Sequence, residues 1–498
     1  MKRKKTYIVL VPIAVVVLGI IGYLQEGSSL YSALLSSLKL LKVELGTLPA
    51  NALIEIARWL GVLFFFGLIY AAVATVVESG IILAKTTQDD AVAVHGDSVY
   101  AQMLINALGK KGIQSNNKIA YKAPVQVIAF DNDNKAIEFY QKNSASLSKA
   151  KEVHLCLEMG CHPSIEADNV FVTNISEVRA IDYWRRHFCN EPEKIVIIGS
   201  GLLAETVLLW GLLTNIFDIK CKNEYYIFGN FGKFKATHGD VEAIIHEYGE
   251  DCISFFNDDW YSNINVIKTA SRIILCGDTL QNVESALDMK SMGVKGKIHL
   301  FAENNNIASF VDNAVSVVGT LSKDNIRKVL LMDSIHHSGK LCHATYMVLE
   351  NGNEDSVNAN TLKDYILTDE FKESWKKLNA FTRGSNYATA IHDPIKKVLL
   401  FNNGIDVTGL TAAENKEQYN MLNDHDKDRL QEIEHIRWSR YHLLNNWEKP
   451  VKEIIVDGVK KTKDPENKLH CNLVPYDELP FKDKEKDAYF YQTLALRV

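Results

Sequence analysis

The sequence predicts a membrane-attached α/β protein in three parts: two apolar helices at the N-terminus, two parallel-sheet α/β domains in tandem, and an all-helical C-terminal third. Three observations carry this reading. Two uncharged apolar runs occupy residues 7–24 and 59–77. Short β-rich runs alternate with helical stretches, twice over, between residues 90 and 319. From residue 323 onward helical patterning takes over. Strands alternating with helices imply parallel sheets covered on both faces.

Each apolar run is close to the ~20 residues a helix needs to cross a bilayer, the first being near the lower limit. A signal peptide shares its basic start and apolar middle. However, Gly22-Tyr23-Leu24-Gln25-Glu26 offers no small-x-small cleavage site, which favours an uncleaved anchor. Lys2, Arg3, Lys4 and Lys5 should remain in the cytoplasm. Two passes through the cell membrane would then place the N-terminus and everything after about Lys85 on the cytoplasmic side. Between the runs, Leu34, Leu35, Leu38, Leu41 and Leu45 recur at helical spacing while Lys39, Lys42 and Glu44 mark a polar side. Residues 30–48 therefore read as an interfacial helix. A potassium-type filter needs a Thr-Val-Gly-Tyr-Gly-like loop before the second span. The chain offers Leu45-Gly46-Thr47-Leu48-Pro49 there, so two helices that only anchor and oligomerise remain the alternative to a pore.

With 498 residues the chain has room for about three domains beyond its anchor. A net charge of −6 gives no reason to expect a nucleic-acid partner. The eight cysteines form no CxxC pair, and several fall in predicted strands as reduced core thiols do. His154, Cys156, Cys161 and His162 are metal-ligand types at a spacing no common zinc motif uses, and His336, His337, Cys342 and His343 are no better. No metal site is expected.

The two α/β domains are read as residues 86–190 and 191–320. The first opens with a strand at 92–95, then Gly96-x-Ser98-x-x-Ala101 and a helix; the second opens with a strand at 195–198, then Gly199-x-Gly201-x-x-Ala204 and a helix. Both are versions of the fingerprint that brings backbone amides at a helix start against a pyrophosphate. That chemistry also needs an acid after the second strand for the ribose hydroxyls. The copies fail in complementary ways. The second has the glycines, but its second strand runs into Phe228-Gly229-Asn230 without an acid. The first replaces the middle glycine by Ser98, yet its second strand, read at 125–130, runs into Phe130-Asp131-Asn132-Asp133. The expected cofactor is NAD(H) or another adenine nucleotide, with Gly96, Ser98, Asp131, Asp133, Gly199 and Gly201 as its candidate contacts. A purely structural tight turn is the bland reading of either copy. No GxxxxGK[ST] loop is present, which argues against a P-loop ATPase.

A membrane anchor feeding tandem Rossmann-like domains resembles the TrkA-N/RCK arrangement of potassium channels and transporters. The resemblance covers residues 86–320 in pattern. It implies an oligomer whose cytoplasmic domains change shape when nucleotide or ion binds.

Residues 321–360 read as a helical bridge and linker, and 361–498 as a helical region. Trp375, Leu378 and Phe381 lead to Arg383-Gly384-Ser385-Asn386, and a further helix carries Glu434-His435-Ile436-Arg437-Trp438. Trp447, His470 and Leu473-Val474-Pro475-Tyr476-Asp477-Glu478-Leu479-Pro480 follow, with Asp487 in the closing helix. Residues 428–496 thereby resemble the RyR module, a small helical repeat found in ryanodine receptors and in bacterial proteins. The resemblance implies sensing rather than catalysis. His435, Arg437, Trp438, Trp447 and His470 are the candidate ligand contacts: arginine offers forked donors to phosphate and tryptophan a stacking face. The bland reading is that both tryptophans are core and that Glu434 pairs with Arg437 or Arg440 on an exposed helix face.

The expectation is a membrane-anchored, nucleotide-responsive sensor with no catalytic residues, whose partners are the bilayer, further copies of itself and a small nucleotide-like ligand. An NAD(P)-dependent reductase tethered to the membrane is the second reading. It would need a proton donor, for which only His154 or His162 offers itself, since no Tyr-x-x-x-Lys pair follows either fingerprint. A non-conducting scaffold is the third.

Overall fold

Asn51 shows how the N-terminal region is built. Its Oδ1 accepts from the amides of Leu53 and Ile54 (3.1 Å each), capping a long helix, while its Nδ2 donates to the Gly22 carbonyl (2.9 Å). The start of that helix is thereby tied to the end of the first one. The computed structural model describes residues 2–42, 51–115, 118–158, 165, 167, 169–303, 305–350, 358–456 and 458–497. The chain divides into two units, residues 1–89 with 117–122 and the remainder.

The first unit holds α1 (Lys2–Gln25), α2 (Leu30–Leu40) and α3 (Ala52–Thr86). Val15, Tyr23, Ala33, Leu40, Ile54 and Ala57 form its core. A side chain at Gly61 would collide with the Leu40 carbonyl, so this close crossing needs glycine. Beyond it α3 turns apolar side chains outward, among them Leu63, Phe66, Tyr70 and Val76. With 35 residues and an 18-residue stretch of mean hydropathy 2.4, α3 is long and apolar enough to cross a membrane. Among the described residues it is alone in this, and the expected two-pass topology is not supported. The other apolar stretch, Leu10–Gln25, is shorter. Part of its surface is already used against α2 and α3 through Val15 and Tyr23. The helix expected over 30–48 is described as α2 to Leu40; the filter-position residues 45–49 lie outside the described residues.

The second unit opens with a five-stranded sheet of β1 (Val92–His95), β2 (Gly112–Gln114), β3 (Val125–Ile128), β4 (Glu152–Cys156) and β5 (Val170–Thr173). Its helices are α4 (Val99–Leu108), α5 (Asp133–Leu147) and α6 (Ile175–Arg186). All pairings are parallel and the order is β2-β1-β3-β4-β5. This corrects the reading of the acid. The short strand β2 intervenes, so Asp131 follows the third strand, on the opposite side of β1 from the second. In this order the switch point lies between β1 and β3, where chain direction diverges and ligands bind.

The next sheet comprises β6 (Lys194–Ile198), α7 (Leu202–Thr214), β7 (Glu224–Phe228), α8 (Gly232–Thr237), α9 (Val241–Glu247), β8 (Cys252–Phe256), α10 (Ile264–Thr269), β9 (Arg272–Leu275), α11 (Thr279–Ser291), β10 (Lys297–Phe301) and β11 (Val315–Val318). Its order, β11-β10-β9-β6-β7-β8, is the 3-2-1-4-5-6 arrangement of dinucleotide-binding folds. Two parallel-sheet domains therefore stand in tandem.

Helices α12 (Ile326–Leu330), α13 (Asp333–Glu350), α14 (Ala359–Tyr365), α15 (Asp369–Lys377), α16 (Ala380–Asn402), α17 (Ala412–Asn420), α18 (Asp424–Leu444) and α19 (Phe481–Gln492) build the C-terminal region. It is not all-helical. Two small antiparallel pairs, β12 (Ile454–Val456) with β13 (Val459–Lys461) and β14 (Lys463–Asp464) with β15 (Leu469–His470), sit between α18 and α19. One hydrophobic core runs from Val92 to Ala495, through both sheets and the helices. Arg440 of α18 is fully buried against the second sheet domain, paired with Asp251 (2.9 Å) and donating to the carbonyls of Tyr248, Leu212 and Ile245.

Candidate functional site

The β1–α4 turn forms one wall of the main crevice. Gly96 has φ +117°, and a side chain there would strike the Ala129 carbonyl at the end of β3. Only glycine permits the two strand ends to approach so closely. Ser98 then replaces the second glycine for a structural reason. Its buried hydroxyl donates to the Ala129 carbonyl (2.6 Å) and accepts from the Ala101 amide (3.1 Å), capping α4 and tying it across the switch point.

The crevice holds about 490 Å³, the size of a small-molecule site. Ser98, Val99 and Tyr100 enter it from the start of α4, Phe130, Asp131 and Asp133 from the β3–α5 turn, and Glu158 from beyond β4. Glu303, just past β10, closes it from the other sheet. Three helix starts converge there, and N-terminal amides favour acceptors. The carboxylates oppose this. Asp131 is held by Lys135 (2.9 Å), which lowers its pKa. Both Asp133 oxygens accept from the Glu158 amide (3.0 and 3.2 Å). Burial, with Asp133 and Glu303 nearby, pushes the Glu158 carboxyl upward. Arg179 stands behind the crevice, donating through Nε to Gly319 O (2.7 Å) and through Nη2 to Ala302 O (2.9 Å), and its charge opposes the rise of Glu158.

The second fingerprint is differently furnished. Gly199 packs its turn against the Cys276–Gly277 backbone. Gly201, at φ +85°, precedes α7 with open space beside it and no side-chain cap. The turn after β7 donates the Asn230 amide to Ser200 Oγ (3.0 Å), and no carboxylate follows that strand. Buried Asn282 braces the strand ends, donating to the carbonyls of Leu275, Gly277 and Phe301.

The C-terminal candidates separate onto different faces of α18. His435, Trp438 and His442, at three- and four-residue spacing, share one face. Trp438 meets His442 (ring centroids 4.0 Å) and His470 (4.8 Å), His442 meets Trp447 (5.3 Å), and Trp447 stacks on Phe381 (4.9 Å). His435 Nε2 donates to the Val474 carbonyl (2.7 Å), the tautomer that partner requires. Arg437 belongs to another face. It is 1% exposed and donates through Nε and Nη2 to Glu434 (3.0 and 2.7 Å), which also takes Lys396 of α16 (3.1 Å). Burial alone would raise the Glu434 carboxyl, but Arg437 and Lys396 hold it down at about 2. The exposed ion pair of the bland sequence reading is thus a buried one. The expected grouping of Arg437 with the aromatics is not formed, because one residue along a helix turns the side chain by roughly 100°. Burial also lowers His442 to about 3 and His470 to about 4, so both are neutral near pH 7. Neither histidine therefore supplies a positive charge to the cluster; the cations that act on it from nearby include Lys463 and Lys486.

His154 lies inside β4, 3.4 Å from Glu152 and stacked on Phe171, away from the crevice at the strand end. Cys161 and His162 lie outside the described residues. Among the described residues no three His, Cys, Asp or Glu side chains group to hold a metal ion. Sequence reasoning missed Glu158, Glu303, Arg179, Asn282, Phe381 and His442. Glu158 and Glu303 had a local signal, each an acid two residues past a strand end. No family model, curated protein or solved structure matches this chain.

Proposed function

We propose that this protein is a membrane-associated receptor for a small nucleotide-type ligand. The observation that carries it is the crevice at the β1/β3 switch point, lined by Ser98, Phe130, Asp131 and Asp133 and closed by Glu303 of the second sheet. A ring can lie against Phe130, ribose hydroxyls can donate to Asp131 or Asp133, and helix-start amides can receive the remaining acceptors. Output has a short covalent route: α3 ends at Thr86 and β1, which leads into Gly96 and Ser98, begins at Val92. A ligand shifts such a protein only through unequal affinity for its states. The TrkA-N/RCK and RyR resemblances support a sensing role in an oligomer, with ion conduction as one form of output.

Calorimetric titration of the full-length protein in detergent with adenosine, AMP, ATP, cyclic AMP and NAD⁺ tests this reading. At least one is expected to bind, and Asp131→Ala to weaken it tenfold or more. Failure of all five would overturn it. Steady oxidation of NADH by added carbonyl compounds would replace it by a reductase.

A further inference from the structure

We infer, taking the crevice to be the receptor's site, that its ligand carries a positive charge at its polar end and is held between Glu158 of the first α/β domain and Glu303 of the second. Four carboxylates line the cavity, those of Asp131, Asp133, Glu158 and Glu303, and its described lining includes no lysine, arginine or histidine. Two of the four already have partners: Lys135 for Asp131 and the Glu158 amide for Asp133. Arg179, a buried cation behind the crevice, donates to the Gly319 and Ala302 carbonyls, and its charge partly offsets Glu158 and Glu303 without filling the cavity between them. Glu158 and Glu303 remain, one from each side, exposed to the cavity.

A bare pyrophosphate entering here would bring like charge to like charge in a partly desolvated space, where such repulsion is larger than in water. A cationic group reverses the sign. It would offset the burial and the neighbouring carboxylates that together raise the Glu158 carboxyl, and would draw the two domains together across the cavity. Ala302, whose carbonyl Arg179 of α6 holds, immediately precedes Glu303. Any pull on Glu303 is therefore felt at the joint between the domains. The volume of about 490 Å³ accommodates a ligand of nucleoside size. The class is thus a cationic nucleoside, with the ring end on the Phe130 side and the amine between the two glutamates.

Three probes that differ only at the 5′ position test the charge: 5′-amino-5′-deoxyadenosine, adenosine and AMP, titrated into the full-length protein in detergent. The amine is expected to bind tightest, by about tenfold or more over AMP. This preference should shrink at least about threefold in Glu303→Gln and in Glu158→Gln, whose melting temperatures report that each is folded. Tightest binding by AMP, equal binding of all three, or an unchanged preference in both variants would overturn the inference while leaving the receptor reading in place. Binding by none of the three, nor by any nucleotide of the wider panel, would overturn both.

Discussion

Arg440→Met tests how the C-terminal helices are held on the second α/β domain. Arg440 and Asp251 are both fully buried and 2.9 Å apart, and Arg440 also donates to three backbone carbonyls of that domain. Methionine replaces much of the volume but leaves Asp251 facing the gap with Asn223, whose amide lies at 2.7 Å, as its remaining support. Removing one partner of a buried pair costs about 3–5 kcal/mol, because the remaining charge is uncompensated. For a cooperative unit of roughly 400 residues, about 1 kcal/mol shifts the melting temperature by roughly 1.2 °C, so a fall of ~4–6 °C is expected. The pH dependence has a definite sign. Burial already raises the Asp251 carboxyl, and Arg440 opposes that rise. Without Arg440 the carboxyl rises further and protonates as pH falls, which removes the buried charge. The deficit should thus be largest near pH 8 and smaller near pH 5. Differential scanning fluorimetry of the wild type, Arg440→Met, Asp251→Leu and the double variant completes the cycle, and the double variant should recover part of the loss. A shift under 1 °C for Arg440→Met, or a deficit that grows on acidification, would refute the reasoning.

Further outcomes follow from other sites. Gly96→Ala should destabilise more than Gly201→Ala, since both demand positive φ, ~1–2 kcal/mol of strain, but only Gly96 also abuts a backbone carbonyl; equal melting shifts would refute the close-approach argument. His442 and His470 are held near 3 and 4 by burial, so the unfolded chain binds more protons than the folded one between about pH 6.5 and 4. Stability should fall as pH drops through that window, and His470→Gln should flatten the fall; a melting temperature independent of pH there would contradict it. In α3, Val73→Arg places a charge at an exposed apolar position, at a cost of ~2.5–3.5 kcal/mol if that segment spans the bilayer. Reduced recovery in carbonate-washed membranes is expected, and undiminished recovery would argue against α3 as the span.

The legible parts of the fold are those with local causes. The switch from apolar runs to strand–helix alternation to helical periodicity marks the apolar N-terminal helices, the two sheets and the C-terminal region. The glycine turns after β1 and β6 stand out because a strand, a tight turn and a helix start follow one another within ten residues. The three-residue strand β2 leaves no such trace, as Gly112-Ile113-Gln114 is too short for periodicity to register. Without β2 in the count, Asp131 reads as following the second strand rather than the third. In the C-terminal region, Ile454-Ile455-Val456 and Val459-Lys460-Lys461 lie in a lysine-rich stretch that reads as loop, so their pairing is hidden as well.

By itself the chain's sequence determined an apolar N-terminal helix, two successive parallel sheets and a helical end carrying aromatic and basic residues, because each depends on neighbours a few positions away. Tertiary structure alone decided which of those residues meet. Strand order set Asp131 across from Ser98, domain packing carried Glu303 more than a hundred residues to Glu158, and the turn of one helix parted Arg437 from Trp438. These outcomes depend on which surfaces exclude water together, and that is a property of the whole packed unit rather than of any segment in it.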